Sequence, residues 1–361
     1  MIVKHDLLLE KLSDFHRQRA KKDWIKEGDR NTYFFHQAAI KRRRKNIIAS
    51  IICNNSFITN PDDIAQVFID YFSDLFSANR TDRQNSYFPD IDSSQVIDWQ
   101  VPDEEEIWQI INGMRKNASP GPDGLNAAFY RSAWSWIKDD LMALIQDFYQ
   151  TGNIPSDLNK TNIVLIPKKN RPISPTDFRP ISLCNVPYKI LAKSIANRIK
   201  GKLPDLICQS QHAFIPGGRI ANNIIIAQEI VHSFGLNSYC QKAFLLKIDL
   251  SKAFDRLEWD FIAAALQRKG FHPHFINLVL SCINSSSFAV NINGQSYGAF
   301  NANRVIRKGC PLSPYLFVLA VNELSKQLNE ALHNQHIKGI KLSECGPVIH
   351  SLIYADDLII T

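Results

Sequence analysis

Apolar residues recur along this chain in two rhythms, a helical period of three to four and a strand period of two, separated by clusters of Gly, Pro, Asn and Asp. The helical period covers residues 1–45, where Leu7, Leu8, Leu9, Leu12, Phe15, Trp24 and Ile25 share a face. It returns at Pro61–Phe76, Pro102–Met114, Phe129–Phe148, Tyr188–Leu203, Asn222–Phe234, a stretch ending at Cys282, and Leu316–Leu332. Prolines and acids at Pro61-Asp-Asp and Pro102-Asp-Glu mark helix entries, and Gly152 marks an exit. In the helix at 188–203, Ile190, Leu191, Ile195 and Ile199 are expected to face inward, with Lys193, Arg198 and Lys200 outward. The helix at 222–234 reads as apolar through Ile224, Ile225, Ile226 and Ile230.

The strand rhythm places a β-strand at Asn162–Ile166, closed by Pro167, and a returning one at Asp177–Leu183 across the basic turn Lys168–Arg171. Phe244–Ile248 reads as a buried strand with Asp249 at its end. Phe288–Gln295 alternates and turns at Asn293-Gly294, and Leu352-Ile353 with Leu358–Ile360 read as a tight hairpin. Ser77–Ser94 is polar and lacks period, so a boundary is expected near residue 98. That divides a basic helical extension, 1–98, from an α/β (α+β) unit, 99–361.

Composition changes this picture in two ways. Forty-two Lys and Arg against 35 Asp and Glu give a net charge of +7, which favours a polyanionic partner over an acidic one. The seven cysteines, Cys53, Cys184, Cys208, Cys240, Cys282, Cys310 and Cys345, form no C-x-x-C pair and no zinc spacing. Free thiols in a reducing compartment account for them, and the start of the chain shows no signal peptide pattern. No apolar run approaches the roughly 20 residues of a membrane span. The expectation is an intracellular protein, nuclear or cytoplasmic, without a membrane partner.

The chemistry concentrates in acids near strand ends. Asp356 and Asp357 sit between the two apolar runs of the last hairpin, where carboxylate oxygens suit a hard divalent cation; a solvated turn would use the same residues. Asp249 at a strand end is either a ligand or a helix N-cap. Asp255 and Glu258, in the following helix, read as surface or capping groups. Lys168, Lys169, Arg171 and Arg179 gather on one hairpin, as a triphosphate requires or as ordinary surface charge allows. In the compact loop at 116–124 glycine lets the backbone approach a ligand and Lys116 supplies positive charge; in the loop at 209–219 the Gly217-Gly218 pair permits a positive φ. The loop at 304–315 enters a helix whose first amides suit a phosphate or sugar. The run Lys41, Arg42, Arg43, Arg44, Lys45 demands a counter-charge. Trp24, Tyr33, Phe34 and Phe35 interleave with nearby cations, a pattern that serves stacked bases or a protein core.

Six stretches in order resemble the successive blocks of a reverse transcriptase of LINE-like (non-LTR) retrotransposons, plant type. They are Ser119-Pro-Gly-Pro-Asp-Gly124, Phe178-Arg-Pro-Ile-Ser-Leu183, Gln211-His-Ala-Phe-Ile-Pro-Gly217, Asp249-Leu-Ser-Lys-Ala-Phe-Asp255, Gly309-Cys-Pro-Leu-Ser-Pro314 and Tyr354-Ala-Asp-Asp357. The region around Trp24–Asp29 and Tyr33–His36 is similar to the segment preceding those blocks.

The resemblance implies a right-hand polymerase, with fingers and a palm built on an antiparallel sheet, that extends a DNA primer on an RNA template from dNTPs. It implies Mg2+, with Mn2+ as a substitute, held by Asp249, Asp356 and Asp357. It assigns the triphosphate to Lys168 and Arg179, exclusion of a ribose 2′-hydroxyl to Phe254, the template base and nucleotide to the loop of Gly309, Pro311 and Ser313, and the primer end to Tyr354. The chain departs from the pattern at Lys308, where Gln is usual, at Val305, where Gly is common, and in using the Cys310 variant. The sequence ends four residues after Asp357, so fingers and palm are expected with the thumb absent, and without endonuclease or RNase H segments. A catalytically inactive, nucleic-acid-binding remnant is the alternative.

Overall fold

The computed structural model describes residues 32–53, 55–78, 99–236, 244–343 and 346–361. Its first element, α1 (Thr32–Asn46), carries Arg43, Arg44 and Lys45 in its last turn, where cations favourably meet the negative helix end. Then come β1 (Ile51–Cys53), β2 (Ser56–Ile58), α2 (Pro61–Leu75), α3 (Glu104–Gly113) and α4 (Ala127–Thr151). Asn60 caps α2 by accepting from the Asp62 amide, Asp103 caps α3 through the Glu106 amide, and Gly152 ends α4 at φ 74°. The expected boundary near residue 98 and the expected helix over residues 1–31 lie outside the described residues.

A four-stranded sheet follows from β3 (Lys160–Pro167) and β4 (Phe178–Cys184), then, after α5 (Val186–Lys200), α6 (Leu203–Leu206) and α7 (Ile220–Leu236), from later strands. Beyond β5 (Leu246–Asp249), α8 (Ala253–Arg256), α9 (Trp259–Arg268) and α10 (Pro273–Asn284), the chain adds β6 (Ser287–Ile292) and β7 (Gln295–Asn301) to it. The order is β4-β3-β6-β7, with β3 antiparallel to β4 and parallel to β6. Asn293 and Gly294, both at positive φ, make the tight turn between β6 and β7. The Asn293 amide group also bonds both backbone groups of Ile48, which ties the chain after α1 to this turn.

Strand alternation puts Ile163, Leu165, Phe288, Val290 and Ile292 on one face, and α2 lays Ile64, Phe68 and Phe72 over them. Phe68, Phe72 and Phe76 are each at most 2% exposed, so each contributes about 1.5–3 kcal/mol through burial. Phe68 meets Phe178 edge-on at 5.3 Å; truncating it to Ala would cost about 3–5 kcal/mol.

The larger core lies among helices. α5 runs through its middle, with Tyr188, Ile190, Leu191, Ala192, Ser194, Ile195, Ala196 and Ile199 all fully buried. A helix apolar nearly all round belongs inside, which explains a departure from the expected polar outer face. Arg198 is half-buried and pairs with Glu106 of α3, and Lys193 is half-buried with its pKa pushed down by burial. Only Lys200 of the three is fully outward.

The last elements are α11 (Ser313–His333), β8 (Ile340–Lys341), β9 (Val348–Ile349), β10 (Ser351–Tyr354) and β11 (Asp357–Ile360). β10, β11 and β5 form an antiparallel three-stranded sheet in that order. α7 packs Ile230, Ile226 and Ala227 against Leu352, Ile340 and Ile359 beside this sheet.

Two expectations fail here. β5 is not buried: it is an edge strand, Leu246 is 48% exposed, and Phe244 just before it is 65% exposed. Ile224 and Ile225 of α7 are also exposed, because three consecutive isoleucines on a helix point in three directions and only Ile226 turns toward the sheet. No helix among the described residues is long and apolar enough to cross a membrane.

Candidate active site

The hairpin of β10 and β11 turns through Ala355 and Asp356, with Ala355 at φ 54°. Asp356 therefore occupies the tip, half-buried, while Asp357 opens β11 and is exposed. Asp357 faces Tyr354 across the hairpin and faces Asp249 across β11 and β5. Directly paired residues in an antiparallel sheet project to the same side, so Asp249, Asp357 and Tyr354 share one face. The Leu250 amide donates to the Asp356 carbonyl at 3.4 Å, which holds the end of β5 against the turn.

Strand alternation adds Lys247 to the same face, and its Nζ lies 3.2 Å from Asp357 Oδ1. Both side chains are more than half exposed, so solvent weakens this pair. Among the described residues, no three His, Cys, Asp or Glu side chains converge as a metal cage. The structure thus brings Asp249 and Asp357 together, with Asp356 one residue away, but turns Asp357 toward a lysine. Because β5 is exposed, the placement of Asp249 opposite Asp357, and not burial, makes it notable.

The hairpin is held from beneath by groups whose role is not legible in one dimension. Gln211 is 2% exposed, and its Oε1 accepts from the amides of Ala213 (2.9 Å) and Ala355 (3.3 Å). The Ile353 amide donates to the Ser210 carbonyl, and the Ile353 carbonyl accepts from the His212 amide and from Asn223 Nδ2. Gly218 lies so near the His212 carbonyl oxygen that a Cβ there would come within 2.0 Å of it. The Gln211–Gly217 block was the available signal; its purpose as a cradle for the acidic turn required the third dimension.

Phe254, in α8 beyond β5, is half-buried and stacks on Phe317 of α11 at 4.5 Å. Its carbonyl accepts from the Ile306 amide. Gly309 sits at φ 114°, with its Cα so close to β4 that a Cβ would stand 2.8 Å from the Ser182 carbonyl oxygen. Pro311 is half-buried, and Ser313 begins α11, three residues earlier than expected, with a buried hydroxyl.

On the β3–β4 hairpin, Arg179 pairs in register with Ile166 and is exposed. Lys168 is exposed, with Nζ on the Thr176 carbonyl at 2.8 Å, and Lys169 pairs with Asp177 at 2.9 Å. Burial acts to raise the Asp177 pKa, but the Ile173 and Ser174 amides and Lys169 outweigh it and hold that carboxyl below its usual value. The cations thus partly serve to order their own loop.

Lys41, Arg43, Arg44 and Lys45 are exposed on α1 and Arg42 is half-buried. Trp24 lies outside the described residues, and only the backbone is described at Tyr33, Phe34 and Phe35.

Asp255 corrects its expected surface role. It is 4% exposed, and Lys308 Nζ reaches its Oδ2 at 2.7 Å. Sequence reasoning also missed Arg307, which is 3% exposed, lies 4.0 Å over the Tyr188 ring, and donates to Asn159, Thr161 and the Cys282 carbonyl.

Residues 166–361 match the reverse transcriptase (RNA-dependent DNA polymerase) family. The chain belongs to that family. It is 27% identical over 349 residues to an uncharacterized 149 kDa protein of transposon TX1 from Xenopus laevis, covering 95% of this chain and 26% of that protein. It is 28% identical over 264 residues to the retrovirus-related Pol polyprotein of the type-2 element R2DM from Drosophila melanogaster, covering 71% and 24%. A putative 115 kDa protein of the type-1 element R1DM, also from Drosophila melanogaster, is 24% identical over 339 residues, covering 88% and 28%. The chain spans about a quarter of the length of these curated relatives. The reverse transcriptase match begins at Ile166, so it takes in Lys168, Arg179, Asp249, Phe254, Gly309 and the acidic hairpin, while α1 to α4 precede it.

Proposed function

We propose that this chain carries the polymerase centre of a LINE-like (non-LTR) reverse transcriptase, extending a DNA primer on an RNA template from dNTPs. The observation that carries the reading is the register of Asp249 opposite Asp357, beside a turn holding Asp356, within residues that match the family. A stretch of 66 residues, 41% identical to an uncharacterized mitochondrial protein of Arabidopsis thaliana, supports a plant-type origin. In this reading β3, β4, β6 and β7 form the fingers, β5, β10 and β11 the palm sheet, and the segment to residue 98, whose α2 covers the fingers sheet, a basic extension.

In the reaction, the primer 3′-hydroxyl gives its proton to solvent and its oxygen bonds to the α-phosphorus, as the bond from that phosphorus to the oxygen bridging to the β-phosphate breaks and pyrophosphate leaves. Lys168 and Arg179 neutralise triphosphate oxygens, for which charge-assisted bonds are suited. Phe254 fills the space a ribose 2′-hydroxyl needs. Gly309, Pro311 and Ser313 support the templating base and nucleotide, and Tyr354 supports the primer end. For Asp357 to hold a divalent cation it would have to give up Lys247, which exposure of both groups makes inexpensive.

Asp249, Asp356 and Asp357 offer only carboxylate oxygens on adjoining strand ends, a donor set that fits Mg2+ or Mn2+. Mg2+ bound there supplies charge stabilisation to phosphoryl oxygens and lowers the pKa of a hydroxyl. Extension of a labelled DNA primer on an RNA template tests the reading: product with dNTPs and Mg2+, lost in Asp356→Asn, is expected. A wild-type chain that binds RNA and extends nothing would instead mark a non-catalytic binding protein.

A further inference from the structure

Lys308 stands where three parts of the fold meet. Its carbonyl accepts from the Ser182 amide of β4 at 2.9 Å. Its ammonium meets Asp255 at 2.7 Å, directly after Phe254. Its next neighbour is Gly309, whose approach to the Ser182 carbonyl leaves no room for a side chain. The residues before it are zipped to the same region: Ile306 N–H donates to Phe254 O, Val305 N–H to Leu257 O, and Trp259 Nε1–H to Val305 O at 2.8 Å. Val305 holds φ 118° within this zipper, a conformation a β-branched residue adopts only under constraint.

The asymmetry of the pair matters. Asp255's side chain is 5% exposed and Lys308's is 29%, so the carboxylate depends on the ammonium far more than the reverse. A buried carboxylate one residue from Phe254 is a costly feature unless its partner is present.

We infer that the Lys308–Asp255 ion pair is a positioning device for nucleotide selection: it locks the Gly309 loop to Phe254, and so sets the gap in which the incoming sugar sits. Lys308 is thereby a positioning residue, engaged with Asp255 and not with the nucleotide itself. The inference rests on the proposed polymerase reading for its kinetic consequence, but the latch is a property of the fold alone.

The test is a double-mutant cycle on the full chain with Lys308→Met, Asp255→Asn and the pair combined. Two quantities are read: amide hydrogen exchange at Val305, Ile306 and Cys310 without substrates, and kcat and KM for dNTP and for the matching rNTP. Either single change should speed exchange and raise KM for dNTP by roughly tenfold, while the double change costs less than the sum of the singles. Discrimination against rNTP should fall by a similar factor, with primer–template affinity unchanged. Lys308→Arg should restore both readouts. Unchanged exchange in the single variants, additive effects in the double, or faster exchange with dNTP KM and rNTP discrimination unchanged would each overturn the inference. A wild-type chain that incorporates nothing would defeat the polymerase reading, while the exchange cycle would still decide the latch.

Discussion

Asp249 and Asp357 face each other directly across the antiparallel pair of β5 and β11, at the exposed edge of the small sheet. Two like charges held side by side repel, and here Lys247 partly offsets them. Such a pair destabilises a sheet unless something else selects for it, which is why its location carries functional weight.

Arg179 is exposed and in register with Ile166, so its loss should leave the fold intact. Arg179→Gln is expected to raise KM for dNTP by roughly tenfold or more, the value of one charge-assisted bond. Steady-state incorporation with varied dNTP checks this, and thermal denaturation should be unchanged.

Gly309 combines φ 114° with a Cβ position 2.8 Å from the Ser182 carbonyl oxygen. Gly309→Ala should destabilise the chain by about 1–3 kcal/mol and reduce incorporation further than that loss explains. Chemical denaturation alongside kinetics separates the two effects.

The helices and strands were mostly legible because their apolar periods are long and their ends are marked, as by Pro61-Asp-Asp, Pro102-Asp-Glu and Gly152. The hairpin turns at Ala355-Asp356 and Asn293-Gly294 were also legible. What failed was depth. An apolar run such as Phe244–Ile248 reads the same whether its strand is central or at an edge, and here it is at the edge. Asp255 looked superficial because Lys308 lies 53 residues away, and Arg307 passed unnoticed because its partners are neutral oxygens scattered from Asn159 to Cys282. Pairings across the chain decide burial of charge, and one-dimensional periodicity does not contain them.

The cations of α1, exposed except for the half-buried Arg42, should contribute sequence-independent RNA affinity. Replacing Lys41, Arg42, Arg43, Arg44 and Lys45 with Gln is expected to weaken binding and flatten its salt dependence, by about 0.7 in logarithmic slope for each single-strand phosphate no longer neutralised. Affinity measured over a salt series reads this directly; an unchanged slope would remove α1 from the interface.

Lys269 is 5% exposed, donates to the Leu206 carbonyl at 3.0 Å and lies 3.5 Å from Glu323. Burial, then Lys326, push its pKa down to about 8 from 10.5, against the pull of Glu323. The unfolded chain therefore binds more protons than the folded one between those values, so this group makes stability rise with pH across that window. Below about 8 its full cost is present. Lys269→Met should flatten the rise, as read by denaturation at successive pH values.

The most direct test of the polymerase centre is single-nucleotide incorporation on an RNA template and DNA primer with Mg2+, comparing the wild type with Asp249→Asn and Asp357→Asn. These near-isosteric changes at exposed positions should preserve thermal stability and RNA affinity. The account predicts incorporation by the wild type, abolished in Asp249→Asn and strongly reduced in Asp357→Asn. Incorporation at wild-type rates in Asp249→Asn, or none from a folded, RNA-binding wild type, would contradict it.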